Sequence, residues 1–168
     1  PMDSTSANRG GSVEARSSAT GQLIWKSTGT RYRGFFGYSI DSIGDLNGDG
    51  ISDVVVGEPR YSTRTGTVHL LSGSDGSSIS RVPGTQNSGR FGTAVCGMGD
   101  LDQDGFPDIA VSSPGILRVD SGEVRLISGA TRSSLRVLTL PHLINVGEFI
   151  SAVDDMDADG SMDLLVFG

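Results

Sequence analysis

Cysteine is all but missing from this chain of 168 residues: Cys96 stands alone, so no disulfide can form within it. Aromatic residues make up only 6%, with a single tryptophan, and histidine occurs twice. No apolar run approaches the ~20 residues that a membrane-crossing helix requires, and no secretory leader is legible after Pro1-Met2. Basic residues number 13 against 20 acidic ones, for a formal net charge of -7. Without a run of Lys or Arg to neutralise phosphates, nucleic-acid binding is excluded. Apolar content is low at 36%, yet the 25 glycines are interleaved with periodic Val, Ile and Leu. That mixture describes a turn-rich all-β protein rather than disorder, and the length suffices for one domain with a real core.

The acidic charge is local. "GDLNGDGISDVVVG" (44–57), "GDLDQDGFPDIAVS" (99–112) and "DDMDADGSMDLLVF" (154–167) repeat one pattern, and Asp45, Asp100 and Asp155 are spaced 55 residues apart. The period extends over nearly the whole chain. "FFGYSIDSIGD" (35–45) aligns with "RFGTAVCGMGD" (90–100) and "NVGEFISAVDD" (145–155). "GTVHLLSGSDG" (66–76) aligns with "GEVRLISGATR" (122–132) and "GSVEARSSATG" (11–21). Each unit predicts four short strands, as at 36–43, 53–57, 67–72 and 78–82, separated by Gly, Ser and Asp turns. The second strand is a continuous apolar run (Val54-Val55-Val56, Ile109-Ala110-Val111, Leu164-Leu165-Val166) and so reads as buried on both faces. The fourth is the most polar, as an outer edge should be.

Tandem units of four antiparallel strands describe β-propeller blades. With Phe36-Gly37, Phe91-Gly92, Gly57-Glu58-Pro59 and the Asp-rich loops, the chain resembles the FG-GAP repeats of integrin α-subunit propellers and bacterial surface proteins. It departs from that pattern at Val146-Gly147, at Ser112-Ser113-Pro114 and at Asp154, which stands where Gly44 and Gly99 stand in the other copies. The expected organisation is an N-terminal tail (1–10) and three repeats (11–168). These comprise outer strands at 11–29, full blades at 35–84 and 90–139, and inner strands at 145–168. The two end fragments sum to one blade, giving three, too few to close a ring. Closure is therefore expected by oligomerisation, as a six-bladed homodimer through strand exchange at the termini, or as part of a larger propeller.

Numbered from its first aspartate, each loop sets side-chain oxygens at positions 1, 3, 5 and 9 and glycine at position 6. The expected ligands are Asp45, Asn47, Asp49 and Asp53; Asp100, Asp102, Asp104 and Asp108; and Asp155, Asp157, Asp159 and Asp163. Ile51, Phe106 and Ser161, at position 7, would each offer a backbone carbonyl. All donors are hard oxygens in a flexible ring, which suits Ca²⁺ better than Mg²⁺, zinc or copper. An EF-hand would need a carboxylate at position 12 and a following helix. Here that position is Val56, Val111 or Val166. Three in-phase copies also argue against ordinary Asp/Asn turns. Three bound Ca²⁺ would bring the net charge from -7 to -1.

Other chemistry is sparse. No Gly-x-Ser-x-Gly elbow is present, and the chain is read as a non-enzyme. His69 and His142 fall at non-equivalent positions and read as surface residues. Cys96 reads as a small buried hydrophobe, Trp25 as a packing residue, and Phe36 and Phe91 as anchors between blades. Arg31, Arg33, Arg60 and Arg64 form a mildly basic group in the first repeat's connections, read as solvated loop charge with a ligand-facing rim as the alternative. The resemblance implies a calcium-binding module of a secreted or cell-surface protein for adhesion or protein recognition. Alternatives are a carbohydrate-binding lectin, with Tyr32, Tyr38 and Tyr61 as sugar-facing rings, or a purely structural self-assembling fragment.

Overall fold

The computed structural model describes residues 10–86, 89–114, 122–139 and 147–168. Its regular elements are all strands apart from one helical turn. In chain order they are β1 (Ser12–Arg16), β2 (Leu23–Thr28), β3 (Ile40–Gly44), β4 (Asp53–Glu58), α1 (Tyr61–Thr65), β5 (Thr67–Leu71), β6 (Ser78–Pro83), β7 (Val95–Gly99), β8 (Asp108–Ser113), β9 (Glu123–Ile127), β10 (Ser134–Thr139), β11 (Phe149–Val153) and β12 (Asp163–Phe167). Strands β3-β4-β5-β6 and β7-β8-β9-β10 form two four-stranded meanders, and β1-β2 and β11-β12 form two hairpins, antiparallel throughout. Four-stranded antiparallel sheets in tandem are consistent with propeller blades. His142 and Val146 lie outside the described residues.

The sheets stack face to face through three apolar layers. Val13, Trp25 and Phe36 pack with Val56 and Leu71 between the first hairpin and the first four-stranded sheet. Val68, Leu70 and Val82 meet Phe91, Val95, Ile109 and Val111 between the two larger sheets. Cys96, Met98, Ala110 and Val124 receive Ile150, Ala152, Leu164 and Val166 from the last hairpin. As expected, β4 and β8 are buried almost end to end; contrary to expectation, β12 is only partly covered, with Leu165 exposed because no sheet packs on its outer face among the described residues. Burial pushes the Cys96 thiol up to about 12, with the Asp41 carboxylate adding to the rise.

The innermost strands approach closely. Gly97 N–H donates to Asp41 Oδ2 at 3.0 Å across the β3–β7 boundary, and a Cβ on Gly97 would sit 2.6 Å from the Ser42 carbonyl oxygen. The chain also stitches each sheet to the next through backbone bonds. Phe36 N–H donates to the Gly10 carbonyl at 2.8 Å, and Phe91 N–H to the Thr65 carbonyl at 3.1 Å.

Three details differ from the sequence expectation. The Phe-Gly pairs precede the first strand of each sheet instead of opening it, because Gly37 (φ 84°) and Gly92 (φ 87°) turn the chain and leave the phenylalanine in the core. One helical turn, α1, occupies a connection expected to be irregular. His69 is no surface residue: its Nε2 lies 2.8 Å from Glu58 Oε2, and its ring meets Phe36 and Tyr61 edge-on.

Phe91 is 1% exposed at the centre of the layer between the two four-stranded sheets. Phe91→Ala is expected to lower the unfolding free energy by about 3–5 kcal/mol, measured by urea denaturation followed by far-UV circular dichroism.

Candidate metal centre

Each Asp-rich loop is the connection of an antiparallel hairpin, β3–β4, β7–β8 or β11–β12. The residue at position 9 is the first residue of the strand that leaves the loop. In the first loop that residue, Asp53, is fully buried. Its Oδ2 accepts N–H bonds from Leu46 at 2.8 Å and Asn47 at 3.1 Å, and its Oδ1 accepts from Gly73 at 3.0 Å. Asp108 is also fully buried and repeats this, with Leu101 N–H at 2.7 Å and Gly129 N–H at 2.9 Å. Asp163 accepts from Met156 N–H at 2.7 Å. One carboxylate thus ties the loop mouth to the strand and, in both four-stranded sheets, to the turn after the third strand.

The carboxylate at position 1 gathers the N–H groups of the bend. Asp45 Oδ1 accepts from Gly48 at 2.7 Å, and its Oδ2 from Gly50 at 2.8 Å. Asp100 Oδ2 accepts from Gly105 at 2.9 Å, and Asp155 Oδ2 from Gly160 at 2.8 Å. At position 5, Asp49, Asp104 and Asp159 each accept from the N–H two residues on, at 2.8, 2.9 and 2.8 Å. Every loop therefore winds around its own side-chain oxygens.

These bonds move the titrations in opposite directions. The Ile51 N–H, helped by the Ser74 hydroxyl, holds Asp49 below the usual carboxylate range, and the Gly160 N–H does the same for Asp155. Burial pushes Asp108 up, against the pull of its N–H donors. A buried carboxylate that is costly to ionise is suited to a cation beside it.

Oxygens of Asp100, Asp102 and Asp108 lie within 4.8 Å of one another, as do those of Asp155, Asp157 and Asp159. The first loop forms no such carboxylate trio among the described residues, since Asn47 holds its third position. All the donors are oxygens, and the fit is to a hard cation.

Two contributors escaped the sequence reading. Position 4 is left-handed as well as position 6: Gly48 at φ 80°, Gln103 at 60° and Ala158 at 65°. Only the first copy carries glycine there, so the demand was hidden. Position 2 is an anchor. Leu46 is buried in the layer between the large sheets, and a Cβ on Gly129 of the second sheet would lie 3.0 Å from its Cδ1. Asp154, in place of glycine, also has a visible effect. Gly44 and Gly99 end irregular ladders at φ 83° and 64°, whereas β11–β12 pairs without any shift.

Tandem four-stranded sheets with an aspartate-lined first hairpin are consistent with FG-GAP-like repeats, and residues 45–111 match the family described as FG-GAP-like repeat. The chain is similar to integrin alpha-V of Gallus gallus, at 30% identity over 85% of this chain and 16% of that protein. Against integrin alpha-7 of Rattus norvegicus it is 35% identical over 95% of this chain and 15% of the relative. Against integrin alpha-IIb of Homo sapiens the values are 32%, 86% and 16%. The resemblance to FG-GAP repeats and integrin α subunits read from the sequence is borne out. The chain spans about a sixth of the length of these relatives.

Ala158 is a non-glycine residue in the left-handed region at an exposed loop position. Ala158→Gly is expected to stabilise the chain by about 1 kcal/mol, read as a raised midpoint in thermal denaturation.

Proposed function

We propose that this chain is a calcium-binding propeller module of a secreted or cell-surface protein, serving adhesion or protein recognition without catalysis. The observation that carries the metal reading is the repeated carboxylate geometry, above all the buried Asp53 and Asp108 closing their loops. Bound Ca²⁺ would be held by the side chains at positions 1, 3, 5 and 9, and by the carbonyls of Ile51, Phe106 and Ser161. The ion supplies positive charge where the aspartates would otherwise repel one another. The chain supplies the ring of oxygens, the left-handed bends that shape it and the N–H bonds that orient it. Similarity to integrin α subunits supports the adhesive and extracellular parts of the reading. Outside a cell, calcium is plentiful enough to fill loops of even modest affinity.

A lectin role has less support. Arg33 stands over the Tyr32 ring at 5.1 Å, and Arg31 and Arg81 both stand over Tyr61 at 5.0 Å, so neither tyrosine offers a clear platform to a sugar. Among the described residues, no helix is long and apolar enough to cross a membrane.

The reading extends to closure. Phe149, Leu165 and Phe167 are exposed on the last hairpin. A hollow of about 540 Å³ beside it is lined by Leu126, Leu138, Met162 and Leu164 together with Asp102, Arg136 and Asp163. The partner that fits is the β1-β2 hairpin of a second copy, which would complete a four-stranded sheet and give six blades from two chains.

If calcium fills the loops, removing it with excess EDTA is expected to lower the melting temperature by about 5–10 °C per site saturated at 100 times Kd, equivalent to about 2.7 kcal/mol. Differential scanning calorimetry measures this, and an unchanged melt removes the metal reading. Light scattering at micromolar concentration is expected to return twice the chain mass. A folded monomer would rule out closure by a second copy.

A further inference from the structure

We propose that the third Asp-rich loop is completed by the 17–22 turn of a second copy of this chain, so that cation binding there and self-association strengthen each other. This deepens the metal and closure readings above and rests on both.

The third loop lacks what the other two find within the chain. Asp53 Oδ1 accepts the Gly73 N–H and Asp108 Oδ1 the Gly129 N–H, each from the turn after the third strand. Asp163 is bonded at Oδ2 by the Met156 N–H, and among the described residues nothing donates to its Oδ1. It is half-buried, where Asp53 and Asp108 are fully buried. The position-2 side chain is also without a layer to enter: Leu46 is 5% exposed, Met156 72%.

One turn of the chain has the matching form and no carboxylate to serve. The 17–22 turn repeats the 128–133 turn bond for bond. Ser17 N–H donates to the Gln22 carbonyl at 2.9 Å, as Ser128 does to Ser133 at 2.9 Å. Gly21 N–H donates to the Ser17 carbonyl at 2.7 Å, as Arg132 does to Ser128 at 2.9 Å. The Ser17 hydroxyl accepts the Thr20 N–H at 3.2 Å, and the Ser128 hydroxyl accepts the Thr131 N–H at 3.1 Å. Gly21 and Arg132 are both left-handed, at φ 71° and 65°. In the second sheet this turn delivers the Gly129 N–H to Asp108. In the first hairpin the corresponding residue is Ser18, which is exposed and whose N–H finds no acceptor among the described residues.

Turn and carboxylate belong to opposite ends of the stack. Both four-stranded sheets stand between the β1-β2 and β11-β12 hairpins, so the 17–22 turn cannot serve Asp163 of its own chain. A second copy carries the same turn. Leu23 and Ile24, exposed directly after it on β2, bring apolar surface to the same contact.

Ser18 is the one departure. A Cβ on Gly73 or Gly129 would meet the carbonyl oxygen of Ser52 or Pro107 at 1.9 or 1.8 Å, and the corresponding carbonyl in the last hairpin is that of Met162. The 17–22 turn must therefore stand further from its strand than its counterparts do, while the Ser18 hydroxyl gives it a donor that glycine lacks. A looser seat leaves the decision to the cation. Without it, closing the turn over Asp155, Asp157, Asp159 and Asp163 would desolvate like charges; with it, the added donor satisfies the closing carboxylate. Whichever binds first then favours the other by the same factor.

Sedimentation velocity and calcium titration calorimetry on the full chain test this linkage. The dimer dissociation constant is expected to be at least about tenfold lower in excess Ca²⁺ than in EDTA. Ser18→Trp places a bulky side chain on an exposed turn. It is expected to weaken self-association, and calcium binding in the third loop, by at least about tenfold, leaving the first two loops at parental affinity. Ser18 is no ligand of any loop in its own chain, so a loss in the third loop reports contact from another copy. Should Ser18→Trp lose its melt, Met156→Ser is expected to weaken association by about tenfold. A dimer indifferent to calcium, or a Ser18→Trp chain with every loop at parental affinity, overturns the proposal while closure and metal binding stand. A monomer at all concentrations overturns it together with closure. A dimer that gives no heat with calcium overturns it together with the metal reading.

Discussion

The carboxylate that begins β4 and β8, the second strand of each four-stranded sheet, governs the rest of the structure. Asp53 and Asp108 are fully buried, yet each accepts one N–H from the mouth of its loop and another from the turn after the third strand. Burying an ionised carboxylate costs several kcal/mol unless its oxygens are satisfied. These N–H donors offset part of that cost, and a cation in the loop would offset more. The same group therefore fixes three things at once: where β4 or β8 begins, how the loop enters, and where the third strand turns. In the last hairpin Asp163 accepts from the loop mouth, at Met156 N–H, and among the described residues that sheet is two-stranded.

Packing carries this local order from sheet to sheet. Leu46, beside Asp45 of the first Asp-rich loop, is simultaneously a core residue of the layer between the large sheets. A change in the loop's winding therefore reaches the inter-sheet contact through one side chain. Trp25 works at the first boundary, donating its indole N–H to the Gly73 carbonyl at 2.7 Å while its ring lies against Gly76. At the next boundary the residue matching Gly76 is Arg132, also left-handed at φ 65°, and its Nε donates to Ser80 Oγ at 2.7 Å. One junction is sealed by a ring and the other by a guanidinium, so equivalent positions need not carry like residues.

Much of this was legible beforehand, and the reasons are physical. Continuous apolar runs locate β4 and β8 because burial on both faces leaves no room for polar alternation; the same run locates β12, although Leu165 and Phe167 there are exposed. The position-1, -3, -5 and -9 oxygens are legible because a ring of donors imposes its own spacing. What stayed hidden depends on contacts distant in sequence or on backbone angles without a residue signature. Phe36 and Phe91 read as strand residues, since nothing local says that the following glycine turns the chain. Gln103 and Ala158 give no hint of a left-handed bend. His69 looked exposed because its partner, Glu58, faces it from the adjacent strand. The arginines of the first unit looked like solvated charge because the rings beneath them, Phe35 and Tyr61, become neighbours only once the connections fold together.

The two ends of the sheets consequently bear different demands. At one end, eleven aspartates sit at the ligand positions of the three hairpin loops, where their mutual repulsion must be relieved for the buried strands to hold register. At the other, Arg31, Arg33, Arg60 and Arg81 rest on aromatic rings, and among the described residues none of them makes an ion pair. Because the strands between are buried and close-packed, each end can change without the other. Side chains on the connections can therefore vary while the Asp-rich loops keep their winding, which is how one scaffold comes to bear different surfaces.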